Sequence, residues 1–301
     1  MTAALDLGIR LGVWLLLAPL LPGLINKVKA WMAGRTGPPV LQLYFDLARL
    51  WHKGVVLSSV VSPWHVAGVA VAWVALVVAA LLLPAGPAGT PLGFRGDALL
   101  FIGLLALARF SIAGAALDPG SAFTGMGTAR EVSYAVLGEA AILTALAALC
   151  LRTGSVSLEH MLAPAAGAGT LLLGAGLFAV LLAETSRVPF DDPNTHLELT
   201  MIHEAMVLDH SGPPLAVILH GAALKLLLFA VFLAQGVLPI GQLPAAAAAV
   251  ALVVTVLAIA AGVGMVESLM ARLAFRRVPL LLTTALLFCL FALLIAWKGA
   301  L

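Results

Sequence analysis

The sequence predicts an all-α integral membrane protein, with about eight transmembrane helices and an amphipathic interfacial helix after the first span. Composition is the first reason: of 301 residues, 62% are hydrophobic and 10% charged, whereas soluble domains carry roughly 25% charged residues. No soluble core absorbs that much apolar surface. The second reason is arrangement. The apolar residues gather into runs of about 20, enough to cross roughly 30 Å of hydrocarbon. They lack the alternation that barrel strands need, so helices must do the crossing. Length alone would suggest two domains, but a helical bundle in lipid makes residues 1–301 one polytopic domain.

The runs fall at about 4–24, 63–84, 98–117, 132–151, 163–183, 214–236, 245–266 and 279–297. The first ends in Pro22-Gly23 with no small-x-small cleavage site behind it, and reads as a retained span rather than a removed signal peptide. After it, "GPPVLQLYFDLARLWHKG" (37–54) carries an apolar stripe of Val40, Leu43, Tyr44, Leu47, Leu50 and Trp51. Gln42, Asp46, Arg49 and Lys53 form its polar stripe. Pro39 suits the first turn and Gly54 the stop. This is a helix lying in the interface, and Gln42, Asp46 and Arg49 are candidates for docking a soluble partner.

Four charges sit in or at the apolar runs. Arg109 is near the middle of the third, Lys225 near the middle of the sixth, Glu139 inside the fourth and Glu131 at its start. A central charge costs about 2.5–3.5 kcal/mol on insertion scales, so these are expected to be paired or to face a wet cavity. Two readings follow: a structural ion pair such as Arg109 with Glu139, or a proton or ion path. Glu131 and Glu139 would stand about 12 Å apart along a helix and about 80° around it, too far for a direct proton transfer. Water or another side chain has to lie between them.

Orientation follows from lysine and arginine. Loops 25–62, 118–131, 184–213 and 267–278 hold Lys27, Lys29, Arg35, Arg49, Lys53, Arg130, Arg187, Arg272, Arg276 and Arg277, against Arg10, Arg95, Arg152 and Lys298 on the other side. The positive-inside rule makes these loops cytoplasmic and puts both termini outside. The third loop breaks the pattern. "AETSRVPFDDPNTHLELTMIHEAMVLDHSG" (183–212) holds Glu184, Asp191, Asp192, Glu198, Glu204 and Asp209 with a single arginine, Arg187. Pro189, Pro193 and the paired aspartates mark a turn, and Thr195 with Glu198 forms a capping box that starts a short helix. Acidity there does not set topology; it is a solvated face, a funnel that collects protons, or the acidic wall of a polar cavity. His196, His203 and His210 recur every seven residues. That is wider than ordinary metal-ligand spacing, and they read as polar histidines or members of a proton chain.

Cys150 and Cys289 both lie in apolar runs, and no CxxC, GxGxxG or GxxxxGK[ST] pattern occurs. This chain's thiols cannot build an iron–sulfur or zinc site, and any redox centre or nucleotide belongs to a partner. A stand-alone secondary transporter, a reading of a different class, would usually show paired repeats, and none is visible.

The stretch "AETSRVPFDDP…LEL…DHSG" resembles the acidic cytoplasmic loop of the H-type membrane subunit of bacterial complex I, and "GRTGPPVLQLYFDLARLWHKG" resembles the first loop of the same subunit. "LDPGSAFTGMGTAREVSYAVLGEAAIL" (117–143) is closer to the paralogue in group 4 membrane-bound NiFe hydrogenases, including component C of the hydrogenase-4 and formate hydrogenlyase types. Ser133-Tyr134-Ala135 stands where complex I has Ser-Tyr-Glu, and Asp209 replaces a glutamate before Ser-Gly. Ala140-Ala141 stands where the hydrogenase branch tends to place a proline after its glutamate.

The resemblance implies a non-catalytic anchoring and coupling subunit, linking electron transfer in a soluble arm to proton or sodium translocation in a bacterial or archaeal cell membrane. It implies soluble large and small hydrogenase-like subunits carrying NiFe and iron–sulfur clusters, and antiporter-like membrane subunits, with no cofactor on this chain. Quinone belongs only to the alternative, a quinone-site subunit of a complex I-like dehydrogenase. It also implies a proton path through Glu131, Glu139, Glu184, Asp191, Asp192, Glu198, Glu204 and Asp209, with Arg109, Lys225, Arg187 and Arg130 tuning their charge.

Overall fold

The structure, a computed structural model, describes residues 2–84, 89–90, 92–162, 167, 169–191 and 201–300. Among the described residues it is all-α, with no strand. In chain order the helices are α1 (Thr2–Leu17), α2 (Leu20–Met32), α3 (Gln42–Trp51), α4 (Trp64–Leu81), α5 (Asp97–Leu117), α6 (Ala122–Thr153), α7 (Leu158–Met161), α8 (Thr170–Glu184), α9 (His203–Val207), α10 (Gly212–Val237), α11 (Ala245–Leu269) and α12 (Val278–Ala300). Among the described residues, seven helical stretches are long and apolar enough to cross a membrane, α1 and α2 forming one of them, and α8 is a shorter apolar helix of 15 residues.

The first span is broken, and proline explains where. Pro19 has no N–H to give the Leu15 carbonyl four residues back, and an unpaired carbonyl is costly in lipid. His220 of α10 fills the gap: its Nε2 lies 3.0 Å from Leu15 O. Trp73 of α4 donates to His220 Nδ1 at 2.9 Å, so Nδ1 accepts and Nε2 carries the proton given to Leu15. The next carbonyl, Leu16, accepts from the Tyr44 hydroxyl of α3. The break is thereby tied to α3, α4 and α10. Gly23 lets the chain leading into α3 lie directly on α2, because a Cβ there would overlap the Val40 carbonyl.

The bundle is organised around α10, which is buried almost without interruption from Ala223 to Gly236, with Lys225 the half-buried exception. A helix apolar on every side belongs inside. It packs against α4, α8 and α11; α8 also touches α6 and α12, and α4 lies along α5. At the far end of α5, the buried Asp97 accepts from Leu158 N at 2.7 Å and so holds the start of α7.

Two boundaries differ from the hydropathy reading in ways that matter. α6 begins at Ala122, so Glu131 lies inside the helix and not at its start. Hydropathy misses this extension because its covered residues are small and polar: Thr124, Gly127 and Thr128 are buried. α9 packs on them, with Ile202 O only 2.8 Å from where a Gly127 Cβ would be. α11 runs on to Leu269 and takes in Glu267. The helix expected from the capping box at Thr195 lies outside the described residues, as do Asp192, His196 and Glu198.

Candidate functional site

The site begins with how α8 stops. Ser186 N donates to Ala183 O at 3.1 Å and Arg187 N to Leu182 O at 2.8 Å, with Ser186 at a left-handed φ of 52°. This paired pattern is a Schellman turn. It places Glu184 and Arg187 three residues apart on a rigid corner, facing different neighbours.

Glu184 faces inward, its side chain 4% exposed. Arg109 Nη2, from α5, lies 2.5 and 2.6 Å from its two oxygens, and Lys225 Nζ, from α10, lies 2.8 Å from Oε2. Arg109 Nη1 also bonds Glu139 of α6, and its Nε is 3.9 Å from Glu131 Oε1. Three carboxylates thus surround two cations, a formal charge of −1. Arg109 itself is the side chain standing between Glu131 and Glu139. Gly138 makes room for the arrangement, since a Cβ there would come within 3.1 Å of Glu184 Oε1.

Two cavities meet at this cluster. One of about 80 Å³ is bounded by Trp73, Arg109, Glu131, Glu184, His203 and Lys225, with apolar walls from α4 and α10. A smaller one of about 30 Å³ shares Arg109, Glu131 and Glu184 and reaches Tyr134 and Asp191. One water needs roughly 10–15 Å³ measured this way, so the first has room for several and the second for two or three. On its outer side Glu139 is 39% exposed. It lies in an outward row of α6 with Val132, Val136 and Leu143.

The other residues singled out by sequence are placed around this centre. Asp191 Oδ2 accepts from Ile202 N and His203 N at 3.0 and 2.9 Å, capping α9, while its Oδ1 pairs with Arg272 at 3.2 Å. Arg187 turns away from the cluster to Glu267 at 3.4 Å. Arg130 donates to Met201 O at 2.8 Å and lies 4.6 Å from the centre of the Phe275 ring. Glu204 is in the first turn of α9, and Asp209 is exposed beside His210. On α3, Asp46 accepts from both Gln42 and Arg49, so these polar groups bond one another along the helix. His210 is buried and stacks on His65, ring centres 4.1 Å apart. Among the described residues no group of His, Cys, Asp and Glu side chains is arranged to hold a metal.

Sequence reasoning passed over Glu267, which is buried between Lys29 and Arg187. A signal was available: a carboxylate in the last turn of a helix opposes the dipole there, so it needs cations that the local sequence does not supply.

A profile of the family described as NADH dehydrogenase matches residues 6–298. The chain is 32% identical over 261 residues to hydrogenase-4 component C of Escherichia coli (strain K12), covering 81% of this chain and 79% of that one. It is 30% identical over 275 residues to formate hydrogenlyase subunit 4 of the same organism, covering 85% and 86%. Among solved structures, a chain of the membrane-bound sulfane sulfur reductase, an archaeal respiratory membrane complex, superposes with a TM-score of 0.85 over 100% of both chains. At 20% identity that likeness speaks for the fold.

Replacing Arg109 with glutamine leaves three carboxylates facing Lys225 alone. Breaking a buried ionic network this way costs about 3–5 kcal/mol, so thermal unfolding of the purified protein should fall by several degrees. Lysine at 109, which keeps charge but not the fork, should restore only part of it. A second expectation concerns acid. Burial, with His65 alongside, pushes His210 from 6.5 down to about 4. The folded state keeps it neutral while the unfolded chain takes up a proton below its ordinary value. Stability should therefore decline as pH falls from about 6.5 towards 4; His210→Gln should flatten that decline in thermal unfolding.

Proposed function

Since this chain belongs to the NADH dehydrogenase family, we propose that it anchors and couples a hydrogenase-like respiratory complex, linking electron transfer in a soluble arm to proton or sodium translocation in the membrane. The observation that carries this reading is the Arg109 cluster: a carboxylate held between two cations, bordered by water-sized cavities, with Asp191 and His203 at one side and Glu139 at the outer face of α6. With a formal charge of −1 the cluster has one carboxylate more than it has cations, so it has room for one proton, and nearby charge shifts how readily it takes one up. At an effective dielectric constant of about 20, a unit charge arriving at about 10 Å is worth roughly 1.7 kcal/mol, more than a tenfold change in proton occupancy. A redox charge change at that distance would be felt at that strength without contact.

The partners follow from the same groups. Soluble hydrogenase-like large and small subunits, carrying NiFe and iron–sulfur clusters, sit against the loops that bear α3 and α9. Antiporter-like membrane subunits lie beside α6, where an otherwise apolar row presents the Glu139 carboxylate. Facing lipid, that carboxylate would carry a cost of about 2.5–3.5 kcal/mol. The lysine and arginine asymmetry supports a chain with both termini outside. The proton path runs from Glu204 and Asp209 at the loop, through Asp191 and Glu184, to Glu131 and Glu139; Asp192 and Glu198 belong to the same acidic loop. Arg109 and Lys225 hold it from within, Arg187 and Arg130 at its edge.

Glu139→Gln in the intact complex should leave hydrogen production running while ion translocation falls at least tenfold. Unchanged translocation would remove the central step. Purified in gentle detergent, the tagged chain should bring nickel, iron and antiporter-like subunits with it. A quinone with a nickel-free arm would instead support the dehydrogenase reading, and a lone chain active in liposomes a transporter.

A further inference from the structure

Glu267 pairs with Lys29 and Arg187, which are not members of the Arg109 cluster, and its side chain is wholly buried. It lies in the last turn of α11, where the negative end of the helix dipole opposes a carboxylate. Two cations from other elements offset this: Lys29 Nζ of α2 at 2.7 Å and Arg187 Nη1 at 3.4 Å. Gly264, one turn earlier, makes the approach of α2 possible. A Cβ on it would stand 2.9 Å from Val28 Cβ and 3.1 Å from Ile25 O.

Arg187 is the residue that closes the turn after α8, three residues beyond Glu184. Two further contacts fasten the same segment to the chain following α11. Leu273 N donates to Pro189 O at 2.9 Å, and Arg272 pairs with Asp191 at 3.2 Å. Residues 187–191 are therefore held on residues 267–273 at three points. A buried ion pair is weak evidence of a stability role, because an apolar replacement often serves as well. What Glu267 supplies that an apolar side chain would not is a fixed position for the Arg187 guanidinium. The turn is short and hydrogen-bonded, so where Arg187 sits governs where Glu184 sits.

We propose that Glu267 is a positioning residue: through Arg187 it sets the turn after α8, and with it the place of the Glu184 carboxylate between Arg109 and Lys225. Its geometric part stands by itself; its consequence for ion movement rests on the coupling reading above.

The test uses the intact complex with Glu267→Gln and Glu267→Asp, and Glu139→Gln as a control. Two quantities are read: amide hydrogen exchange over residues 185–191, and ions moved per hydrogen formed. Glu267→Gln should speed exchange there about tenfold and lower the ion ratio, with aspartate restoring both. Unchanged exchange in Glu267→Gln overturns the proposal. So does faster exchange with an unchanged ion ratio, provided Glu139→Gln lowers that ratio. If Glu139→Gln leaves the ratio intact while Glu267→Gln still speeds exchange, the coupling reading falls and the positioning role stands. Should the glutamine variant fail to assemble, Arg187→Gln removes the same pair from its less buried partner and is read identically: faster exchange at 185–191 supports the role, unchanged exchange removes it.

Discussion

A guanidinium in the middle of a membrane helix has to be answered by anions from other helices, and much of this structure depends on how Arg109 is answered. Its partners come from α6 and α8, and Lys225 of α10 shares the Glu184 carboxylate. Ionic groups in a medium of low dielectric constant tolerate little displacement, so the register of four helices is fixed at one level. Apolar packing around them is permissive by comparison. Gly138 shows the constraint from the other side, since the α6 backbone stays bare where Glu184 passes it.

The same requirement operates on the backbone. Pro19 breaks the first span, and the Leu15 and Leu16 carbonyls at the break find His220 and Tyr44. The His220 tautomer is set in turn by Trp73. Trp73 and Lys225 both border the larger cavity, so the polar repair of a helix break and the ionic cluster share walls. Helix α3, which carries Tyr44, is joined to the break through one hydrogen bond.

At the end of α8 two charge networks are joined by a single turn. Glu184 belongs to a group with an excess of anions, whereas Arg187, Lys29 and Glu267 form a group with an excess of cations. Opposite imbalances on either side of a rigid corner set a local field across it.

The sequence by itself determined the fold class, the apolar runs and the unusual status of Arg109, Lys225 and Glu139, because hydropathy and the cost of an intramembrane charge are local properties. It also marked residues 183–212 as acidic beyond what topology needs. It did not determine roles within that loop. Glu184, read as one of several acidic residues at the mouth of a span, is the centre of the cluster, and Asp191 caps α9. Those outcomes were settled only by tertiary structure, because Glu184 meets Arg109 across 75 positions and Asp191 meets the α9 backbone across 11 and 12. Glu267 is the clearest case. In sequence it is an unremarked charge at a helix end; in the fold it lies 80 positions from the arginine it holds. An ion pair is a property of two places in space, and only the packing of α2, α8 and α11 brings those places together.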